Sequence, residues 1–201
     1  MEKFWNERFR KEEFVYGIKP NSFFKRYLST RKPGRLLLPA EGEGRNAVYA
    51  ASNGWEVDAF DFSTAARDKA LRLAEESKVK INYFNSRLEK VDLAEQQYDC
   101  IGLIFAHMPS GIRRNVHQQL IRHLKPGGMV IMEAFNKNQI ERNTGGPKNT
   151  DMLYSISEIE QDFEPLGTKL IEETTQHLSE GSYHNGKADL IHYVGFLKQQ
   201  D

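Results

Sequence analysis

Residues 36–47 read Leu-Leu-Leu-Pro-Ala-Glu-Gly-Glu-Gly-Arg-Asn-Ala. The three leucines form a short apolar run bounded by turn residues, which is typical of a buried parallel strand. Gly42 and Gly44 follow this run, and residues 45–54 then have the pattern of a helix that ends at an Asn-Gly pair. A strand, a glycine turn and a helix in this order are the unit from which a parallel α/β sheet is built.

The rest of the chain continues the alternation of strand-like and helix-like segments. Further strands are predicted at about 55–61, 79–84, 99–105 and 129–135, and a closing hairpin at about 168–178 and 188–197. Further helices are predicted after Ser63 and at about 113–124 and 156–163, and a Lys-Pro-Gly-Gly break precedes the fifth strand. Strands joined by helical crossovers predict an α/β protein with three layers, in which helices cover both faces of a doubly wound, mostly parallel sheet.

Composition limits the classes to which the protein can belong. The 201 residues include 28 Lys and Arg against 28 Asp and Glu, which argues against a protein that grips nucleic acid or a membrane through net charge. The single cysteine, Cys100, cannot form an internal disulfide and fits a reducing compartment. The first residues are charged throughout, and no uncharged run is long enough to span a bilayer. We therefore expect one cytoplasmic domain, residues 1–201, with no membrane partner.

The glycine turn lies where a sheet of this class binds its ligands, at the carboxyl ends of the strands. Glycine allows the backbone to approach a ligand closely, and the start of the following helix offers free N–H groups. Asp61 ends the next predicted strand, where its carboxylate can accept hydrogen bonds from both hydroxyls of a ribose. Strand, glycine turn, helix, strand and terminal aspartate together indicate a site for a nucleoside-containing cofactor.

Charge at the turn helps to choose between two such cofactors. Gly42-x-Gly44-x-x-Ala47 also satisfies the dinucleotide-binding fingerprint, so an NAD(P)-dependent oxidoreductase is one alternative. Glu41 and Glu43 flank Gly42, however, and NAD(P) would bring its negatively charged pyrophosphate to this turn. Two like charges about 4 Å apart repel by roughly 4 kcal/mol at an effective dielectric constant near 20. S-adenosylmethionine has no phosphate and carries a sulfonium and an ammonium group. The acidic turn therefore favours S-adenosylmethionine over a pyrophosphate.

An ordered set of motifs resembles the class I S-adenosylmethionine-dependent methyltransferases, and most of all their small tellurite-resistance and thiopurine branch. The resemblance covers nearly the whole chain and rests on these segments: Trp5-x-x-Arg8-Phe9, Tyr16-Gly17-x-x-Pro20-Asn21, Gly42-Glu43-Gly44-Arg45-Asn46-Ala47, Val57-Asp58-Ala59-Phe60-Asp61-Phe62-Ser63, Tyr98-Asp99 and Leu124-Lys125-Pro126-Gly127-Gly128. It implies a methyltransferase with a Rossmann-like sheet of seven strands, the last of them antiparallel, and S-adenosylmethionine as the cofactor.

The resemblance also implies roles for individual residues. The turn from Ala40 to Gly44 would wrap the methionine part of the cofactor, Asp61 would hold the ribose, and Phe62 would lie against the adenine. The full set of expected cofactor-binding residues is Tyr16, Ala40, Glu41, Gly42, Glu43, Gly44, Asn46, Asp61, Phe62, Arg87, Leu88 and Phe105. No cluster of His and Cys has metal-ligand spacing, so we expect no metal.

Two positions of the first strand and its turn depart from the family's usual pattern. Leu38 stands where the family usually has an acidic residue, and Ala40 stands where it usually has another glycine. One hypothesis is that Glu41 or Glu43 supplies the missing charge.

His107 is the candidate catalytic residue. It follows the fourth predicted strand on the ligand edge, and histidine titrates in the range that suits a proton acceptor. A histidine at this place can equally serve to bind loop carbonyls, and transfer from a sulfonium needs positioning more than it needs a base. His117 and His123 are expected on the surface of a helix, and His184 is attributed to the chemistry of the hairpin turn.

Two further expectations concern the N-terminal segment, residues 1–30, and the chemical class of the methyl acceptor. Aromatic residues of the segment, among them Trp5, Phe9 and Tyr16, require burial, either as a lid over the cofactor or as a helical cover of the sheet edge. No basic stripe is apparent, so a small-molecule acceptor is expected rather than a nucleic acid. A protein that binds S-adenosylmethionine without catalysis is the non-enzymatic alternative.

Overall fold

A computed structural model describes residues 2–198 as a seven-stranded sheet with helices on both faces. The strands are β1 (Arg35–Pro39), β2 (Glu56–Asp61), β3 (Asn82–Asn85), β4 (Tyr98–Ile104), β5 (Leu124–Phe135), β6 (Leu166–Glu180) and β7 (His184–Leu197). The helices are α1 (Glu2–Phe9), α2 (Ser22–Leu28), α3 (Arg45–Ser52), α4 (Thr64–Glu76), α5 (Ser110–Ile121) and α6 (Ile156–Asp162), and short 3₁₀ turns lie at Leu88–Lys90, Lys137–Glu141 and Thr150–Met152.

The strand order shows where on the sheet a ligand would bind. The order is β3-β2-β1-β4-β5-β7-β6, in which β1 to β5 are mutually parallel and β7 is antiparallel to both of its neighbours. The predicted fold class, with its antiparallel last strand, is confirmed. From β1 the chain adds β2 and β3 on one side and then β4 and β5 on the other, so the strand order reverses between β1 and β4, and a crevice opens at the carboxyl ends of the strands at such a point.

The leucine run of β1 forms part of two separate hydrophobic cores. Leu37 packs on one face of the sheet, whereas Leu36 and Leu38 pack on the other, because successive side chains of a strand point to opposite faces. All three are completely buried. The second core also takes in Phe24 of α2, so the position where related sequences usually carry an acid is here part of the apolar interior.

Several strands begin or end at residues other than those predicted from the sequence. The Lys-Pro-Gly-Gly segment lies within the bounds of β5, where the pairing with β4 jumps from Tyr98–Leu124 to Cys100–Met129. This irregularity absorbs the extra residues on β5, one of which, Pro126, has no N–H to donate to the ladder. The third strand is shorter than predicted, and the hairpin strands β6 and β7 are both longer.

The expectation that His117 and His123 lie on the surface is wrong. His117 is completely buried, with Nδ1 2.9 Å from Oδ2 of Asp162, and the Nε of Arg113 lies 2.6 Å from the same oxygen. His123 is buried as well, with Nδ1 3.1 Å from the carbonyl oxygen of Ala94. Partners on other segments, α6 in the first case, stabilise polar rings that the helical pattern alone would place in solvent.

The N-terminal segment divides into two parts. Helix α1 lies by the carboxyl end of β2, where the hydroxyl of Ser63 donates to Oδ1 of Asn6 at 2.6 Å. Phe9 and Val15 are buried there, with Trp5 and Tyr16 packed against them. Helix α2 instead packs into the core behind β1. In the part of the chain that the structure describes, no helix is both long and apolar enough to cross a membrane.

Candidate active site

A cavity of about 990 Å³ opens at the carboxyl ends of β1, β2, β4 and β5. Its other walls are α1, the loop 143–149 and the hairpin turn 182–185. Small-molecule sites are typically about 300–1,000 Å³, so the space suffices for a cofactor together with a small second ligand.

The glycine turn is held rigidly on one wall of this cavity. Gly42 has a φ of +66°, in the left-handed region that favours glycine. Its carbonyl accepts a hydrogen bond from the hydroxyl of Tyr83 at 2.7 Å, and its N–H donates to Oδ2 of Asp61 at 3.3 Å. These two hydrogen bonds determine the shape of the turn.

Gly44 does not line the cavity. It caps α3 with a φ of +86°, and a Cβ built on it would lie 2.6 Å from the Cβ of Ala70. This glycine therefore lets α3 pack against α4, and of the expected cofactor-binding residues it is the one that the structure places away from the cavity.

Two non-glycine residues at strand ends have strained backbones. Ala40 after β1 has a φ of +53°, and Phe105 after β4 has a φ of +54°. Both line the cavity. The left-handed conformation costs an L-residue roughly 1–2 kcal/mol, which is a physical reason for the glycine that related sequences usually carry at the position of Ala40.

Glu41 lies on the cavity wall and caps helix α3. Its Oε1 accepts hydrogen bonds from the N–H groups of Asn46 at 2.8 Å and Ala47 at 2.9 Å, and its Oε2 accepts from Nδ2 of Asn46 at 3.3 Å. Burial outweighs these hydrogen bonds and raises the pKa of Glu41 to about 7. A cation at this place would therefore favour the ionised form of the carboxyl.

The carboxylate of Glu43 forms an ion pair with a lysine of helix α4. Its Oε1 lies 2.5 Å from the Nζ of Lys69, and both side chains are buried. Lys69 also donates to the carbonyl oxygens of Lys11, at 2.9 Å, and of Glu13. The negative charge at the turn is therefore smaller than the sequence indicates, because the carboxylate of Glu43 is paired with a cation, whereas that of Glu41 accepts hydrogen bonds from α3.

Asp61 occupies the end of β2 at the cavity wall. Its Oδ1 accepts from the N–H of Ser63 at 2.9 Å, and its Oδ2 accepts from the N–H of Gly42. Burial raises its pKa to about 6, against the effect of these hydrogen bonds. Phe62, Arg87 and Leu88 continue this wall after β2 and β3, as the adenine side of the expected site requires.

Tyr16 and Asn46 fasten the N-terminal segment to the turn. The N–H of Tyr16 donates to Oε2 of Glu43 at 3.4 Å, and Oδ1 of Asn46 accepts from the N–H of Asn21 at 2.9 Å. Both residues line the cavity. The segment and the glycine turn thus form one wall.

His107 lines the cavity but has no free ring nitrogen. Its Nε2 accepts from the N–H of Phe135 at 3.2 Å, so the ring proton is on Nδ1, which donates to the carbonyl of Met152 at 2.7 Å. Burial lowers its pKa to about 4. These contacts do not support His107 as the proton acceptor. They agree with the alternative in which the ring binds loop backbone and ties the loop after β5 to the sheet.

His184 is a further cavity residue, and its turn position in the sequence gave no sign of it. Its side chain is 6% exposed, and its Nδ1 lies 3.6 Å from Oε2 of Glu180. Its ring centroid lies 4.5 Å from that of Tyr16 and 4.4 Å from that of Phe105. Glu180 and His184 are neighbours because they pair across the β6–β7 hairpin.

The cavity wall suits S-adenosylmethionine better than a dinucleotide. A pyrophosphate would need the first N–H groups of α3, and those of Asn46 and Ala47 already donate to Glu41. Two buried carboxyl groups with raised pKa values, those of Glu41 and Asp61, would gain from a cationic ligand and oppose an anionic one. Among the described residues, no group of three or more His, Cys, Asp or Glu side chains is arranged to hold a metal ion.

Comparison of the sequence with known families gives the decisive match. Residues 39–128, from the end of β1 into β5, match the family described as "Methyltransferase domain". The ubiquinone biosynthesis O-methyltransferase of Rickettsia akari is 31% identical over 121 residues, which are 60% of this chain and 47% of that protein.

The sequence and the fold of the chain resemble those of the class I S-adenosylmethionine-dependent methyltransferases. The resemblance inferred from its motifs is thereby confirmed, and S-adenosylmethionine is the cofactor of this family. The chain spans less than half the length of the curated relatives that it matches. One of these, the tRNA (uracil(54)-C(5))-methyltransferase of Pyrococcus abyssi, is 27% identical over 151 residues, which are 67% of this chain and 35% of that protein.

Three solved structures share the fold of this chain. TehB from Haemophilus influenzae superposes with a TM-score of 0.75 at 14% identity, covering 98% of this chain and 67% of its own. The N-methyltransferase NodS from Bradyrhizobium japonicum, in complex with S-adenosylhomocysteine, gives 0.73 at 13% identity over 98% and 97%. A structure from a study of thioacetal formation in echinomycin biosynthesis gives 0.81 at 14% identity over 100% and 93%. The likeness of fold therefore extends over the part of the chain that the structure describes.

Proposed function

We propose that the protein binds S-adenosylmethionine and transfers its methyl group to a small-molecule acceptor by in-line displacement. The observation that carries this proposal is the pair of buried carboxyl groups, Glu41 and Asp61, at a glycine turn whose helix N–H groups are already bound. Such a wall attracts a nucleoside with positive charge and repels a pyrophosphate.

The site assignments belong to the same proposal. The methionine part would lie along Ala40 to Gly42 beside Glu41, and the ribose would bind Asp61. The adenine would lie between Phe62 and Leu88, near Arg87. Phe105 would then face the reacting methyl group, and Tyr16 and Asn46 would close the methionine end. Gly44 and Glu43 would support the cofactor site indirectly. Gly44 would do so by letting α3 pack against α4, and Glu43 by its ion pair with Lys69.

The acceptor end of the cavity favours a small molecule. It lies between β4, the loop 143–149 and the hairpin turn, and its floor is aromatic, with Phe105 and Phe135 at a ring-centroid distance of 4.7 Å. The similarity to ubiquinone biosynthesis O-methyltransferases supports a hydroxyl acceptor. The weaker similarity to a tRNA methyltransferase makes RNA the second candidate acceptor, which methylation assays with bulk tRNA would reveal.

The N-terminal segment, residues 1–30, would serve as the cover of the cofactor in a single domain that spans residues 1–201. Trp5 stacks on Phe9 with ring centroids 5.5 Å apart, and both line the cavity. Arg8 lies over the ring of Tyr183 at 4.2 Å, which links α1 to the hairpin turn above the site. Trp5→Ala should therefore weaken cofactor binding while the thermal transition stays single and cooperative. Glu7→Ala, an exposed residue of the same helix, is the matched control.

Calorimetric titration with S-adenosylhomocysteine tests the cofactor assignment. We expect saturable binding by the wild type, and no binding of NAD⁺ or NADP⁺ under the same conditions. Absence of heat with S-adenosylhomocysteine at high micromolar concentration would refute the proposal, and heat with NAD⁺ alone would favour an oxidoreductase. Binding without methyl transfer to small molecules or tRNA would indicate a protein that senses the cofactor.

We also propose a cytoplasmic location. Cys100, the single cysteine of the chain, is a buried thiol in the central strand β4, and burial raises its pKa. Such a thiol needs no oxidising compartment. Fractionation of cells that express a tagged chain would test the location.

A further inference from the structure

His184 and Glu180 form an acid-base pair at the acceptor end of the cavity. The two residues face each other across the β6–β7 hairpin, and the carboxylate lies 3.6 Å from Nδ1 of the imidazole. Nδ1 is buried, and at this distance it makes no hydrogen bond to the carboxylate. The imidazole lines the cavity between the rings of Tyr16, Phe105 and Phe135.

Glu180 is held in place and kept ionised by two further residues. Its Oε2 accepts from Nη2 of Arg45 at 2.9 Å, and its Oε1 accepts from Nδ2 of Asn21 at 3.1 Å. Burial opposes ionisation, but His184 and Arg45 outweigh it and lower the pKa of Glu180 to about 2. A fixed anion beside Nδ1 favours the tautomer with the proton on that nitrogen, which leaves the lone pair of Nε2 available.

The surroundings of His184 keep its ring neutral at ordinary pH. Burial is the largest cause that lowers its pKa, and the charge of Arg45 on α3 acts in the same direction. Glu180 on β6 and Glu133 on β5 oppose this effect, and the balance remains a lowered pKa. Tyr16 of the N-terminal segment and His107 after β4 complete the titratable groups around the ring.

We propose that His184 is the proton acceptor for a hydroxyl group on a planar aromatic acceptor, and that Glu180 is the positioning residue that orients its ring. This inference rests on the proposed methyltransferase function. The rings of Phe105 and Phe135, centred 4.4 Å and 5.2 Å from that of His184, form the apolar surface that would hold the aromatic body of the acceptor.

The bound cofactor supplies a methyl group whose bond to sulfur breaks as a bond to the acceptor oxygen forms, and the electron pair remains on the sulfur. The hydroxyl proton moves to Nε2 of His184, which becomes an imidazolium beside the Glu180 carboxylate. Solvent then takes the proton when the products leave. General-base assistance of this kind typically contributes about 10²–10⁴-fold to the rate.

Histidine ¹⁵N NMR on the full chain with bound S-adenosylhomocysteine tests the tautomer and the acceptor class, with catechol as the probe. We expect the neutral ring of His184 to carry its proton on Nδ1, and catechol to shift the Nε2 resonance. His107, whose Nε2 is bound to backbone, should not respond in this way. A proton on Nε2 of the neutral ring, or no response to catechol, would overturn the proposal.

Variants separate a chemical role from a structural one. His184→Asn should retain the binding of S-adenosylhomocysteine, lose about 100-fold or more in methyl transfer to catechol, and lose the rise of rate with pH that we expect of the wild type. Glu180→Gln should lose part of the rate. His177→Asn, an exposed histidine on the same hairpin, should behave as the wild type. An unchanged pH profile in His184→Asn would refute the role of His184 alone, whereas a wild type that fails to bind S-adenosylhomocysteine would refute the proposed function itself.

Discussion

The Nζ of Lys69 lies 2.5 Å from Oε1 of Glu43, and the two side chains are only 8% and 2% exposed. This ion pair joins α4 to the glycine turn, and the same ammonium binds two carbonyls of the N-terminal segment. The pair also neutralises the negative charge of Glu43, so that a ligand at the turn is exposed to less negative charge. The preference for a cationic cofactor therefore depends on Glu41 and Asp61.

Lys69→Met should destabilise the protein strongly. The substitution leaves the carboxylate of Glu43 buried without its partner, and the loss of one member of a buried pair typically costs about 3–5 kcal/mol. Denaturation with urea measures the loss. The double variant Glu43→Gln with Lys69→Met should recover a large part of it, because no uncompensated charge remains. A double variant less stable than Lys69→Met would contradict this account.

Asp61→Ala should weaken the binding of S-adenosylhomocysteine by at least about tenfold. Hydrogen bonds to charged groups contribute about 1.5–3 kcal/mol, and each 1.4 kcal/mol corresponds to a factor of ten in affinity. Asp68→Asn, an exposed aspartate of α4, is the control and should bind as the wild type does. Equal affinity in all three proteins, measured by calorimetry, would exclude Asp61 as a ligand of the ribose.

The raised pKa values at the turn predict a pH dependence. The pKa values of Glu41 and Asp61 rise from 4.5 to about 7 and from 3.8 to about 6 on folding, so the folded chain binds these protons more tightly. Their contribution to stability is thus complete below the unfolded values and is lost as the pH rises through about 6–7. Buried histidines whose pKa is lowered, such as His117, act in the opposite direction.

The comparison of the wild type with Glu41→Gln isolates the effect of Glu41, because the histidines contribute equally to both. The free energy of unfolding of the wild type, relative to the variant, should fall by at least about 1 kcal/mol between pH 5 and pH 8, since one pKa unit corresponds to about 1.4 kcal/mol. In the same range, S-adenosylmethionine should bind the wild type more tightly as the pH rises. A difference that stays constant with pH would show that Glu41 has an ordinary pKa.

Ala40→Gly should raise the free energy of unfolding by about 0.5–1 kcal/mol. Relief of a left-handed L-residue gains roughly 1–2 kcal/mol, and the greater freedom of glycine in the unfolded chain offsets about 0.5–1 kcal/mol. Ala47→Gly, within helix α3, should be destabilising. If both variants lose stability alike in thermal denaturation, strain at Ala40 is not significant.

His107→Asn should affect stability more than proton transfer. The substitution removes the imidazole hydrogen bonds to Met152 and Phe135, and each unsatisfied backbone group costs about 1–3 kcal/mol. The pH profile of methyl transfer to catechol should keep its shape. An ionisation that disappears from the profile, with binding of S-adenosylhomocysteine intact, would restore His107 as the proton acceptor.

The sequence was sufficient for the architecture and the place of the site. Apolar runs such as Leu36–Leu38 predict buried strands, and Gly42 with Asp61 locates the ligand edge, because both signals depend on residues close together in the chain. The motifs also indicated the methyltransferase resemblance that the comparisons support. The predicted break before the fifth strand was misplaced, since the irregular pairing of β4 with β5 takes in those residues.

What only the tertiary structure decided is which partner each charged or polar side chain has. Glu43 turns to Lys69 on α4, His107 binds the backbone at Phe135 and Met152, and His184 meets Glu180 across a hairpin. Such partners lie on different elements, so no local pattern reveals them, and yet burial and the nearest charge set the ionisation of each group. The sequence determined the sheet, the turn and the methyltransferase resemblance, and the packing of the elements determined which of the candidate residues are free to act on a ligand.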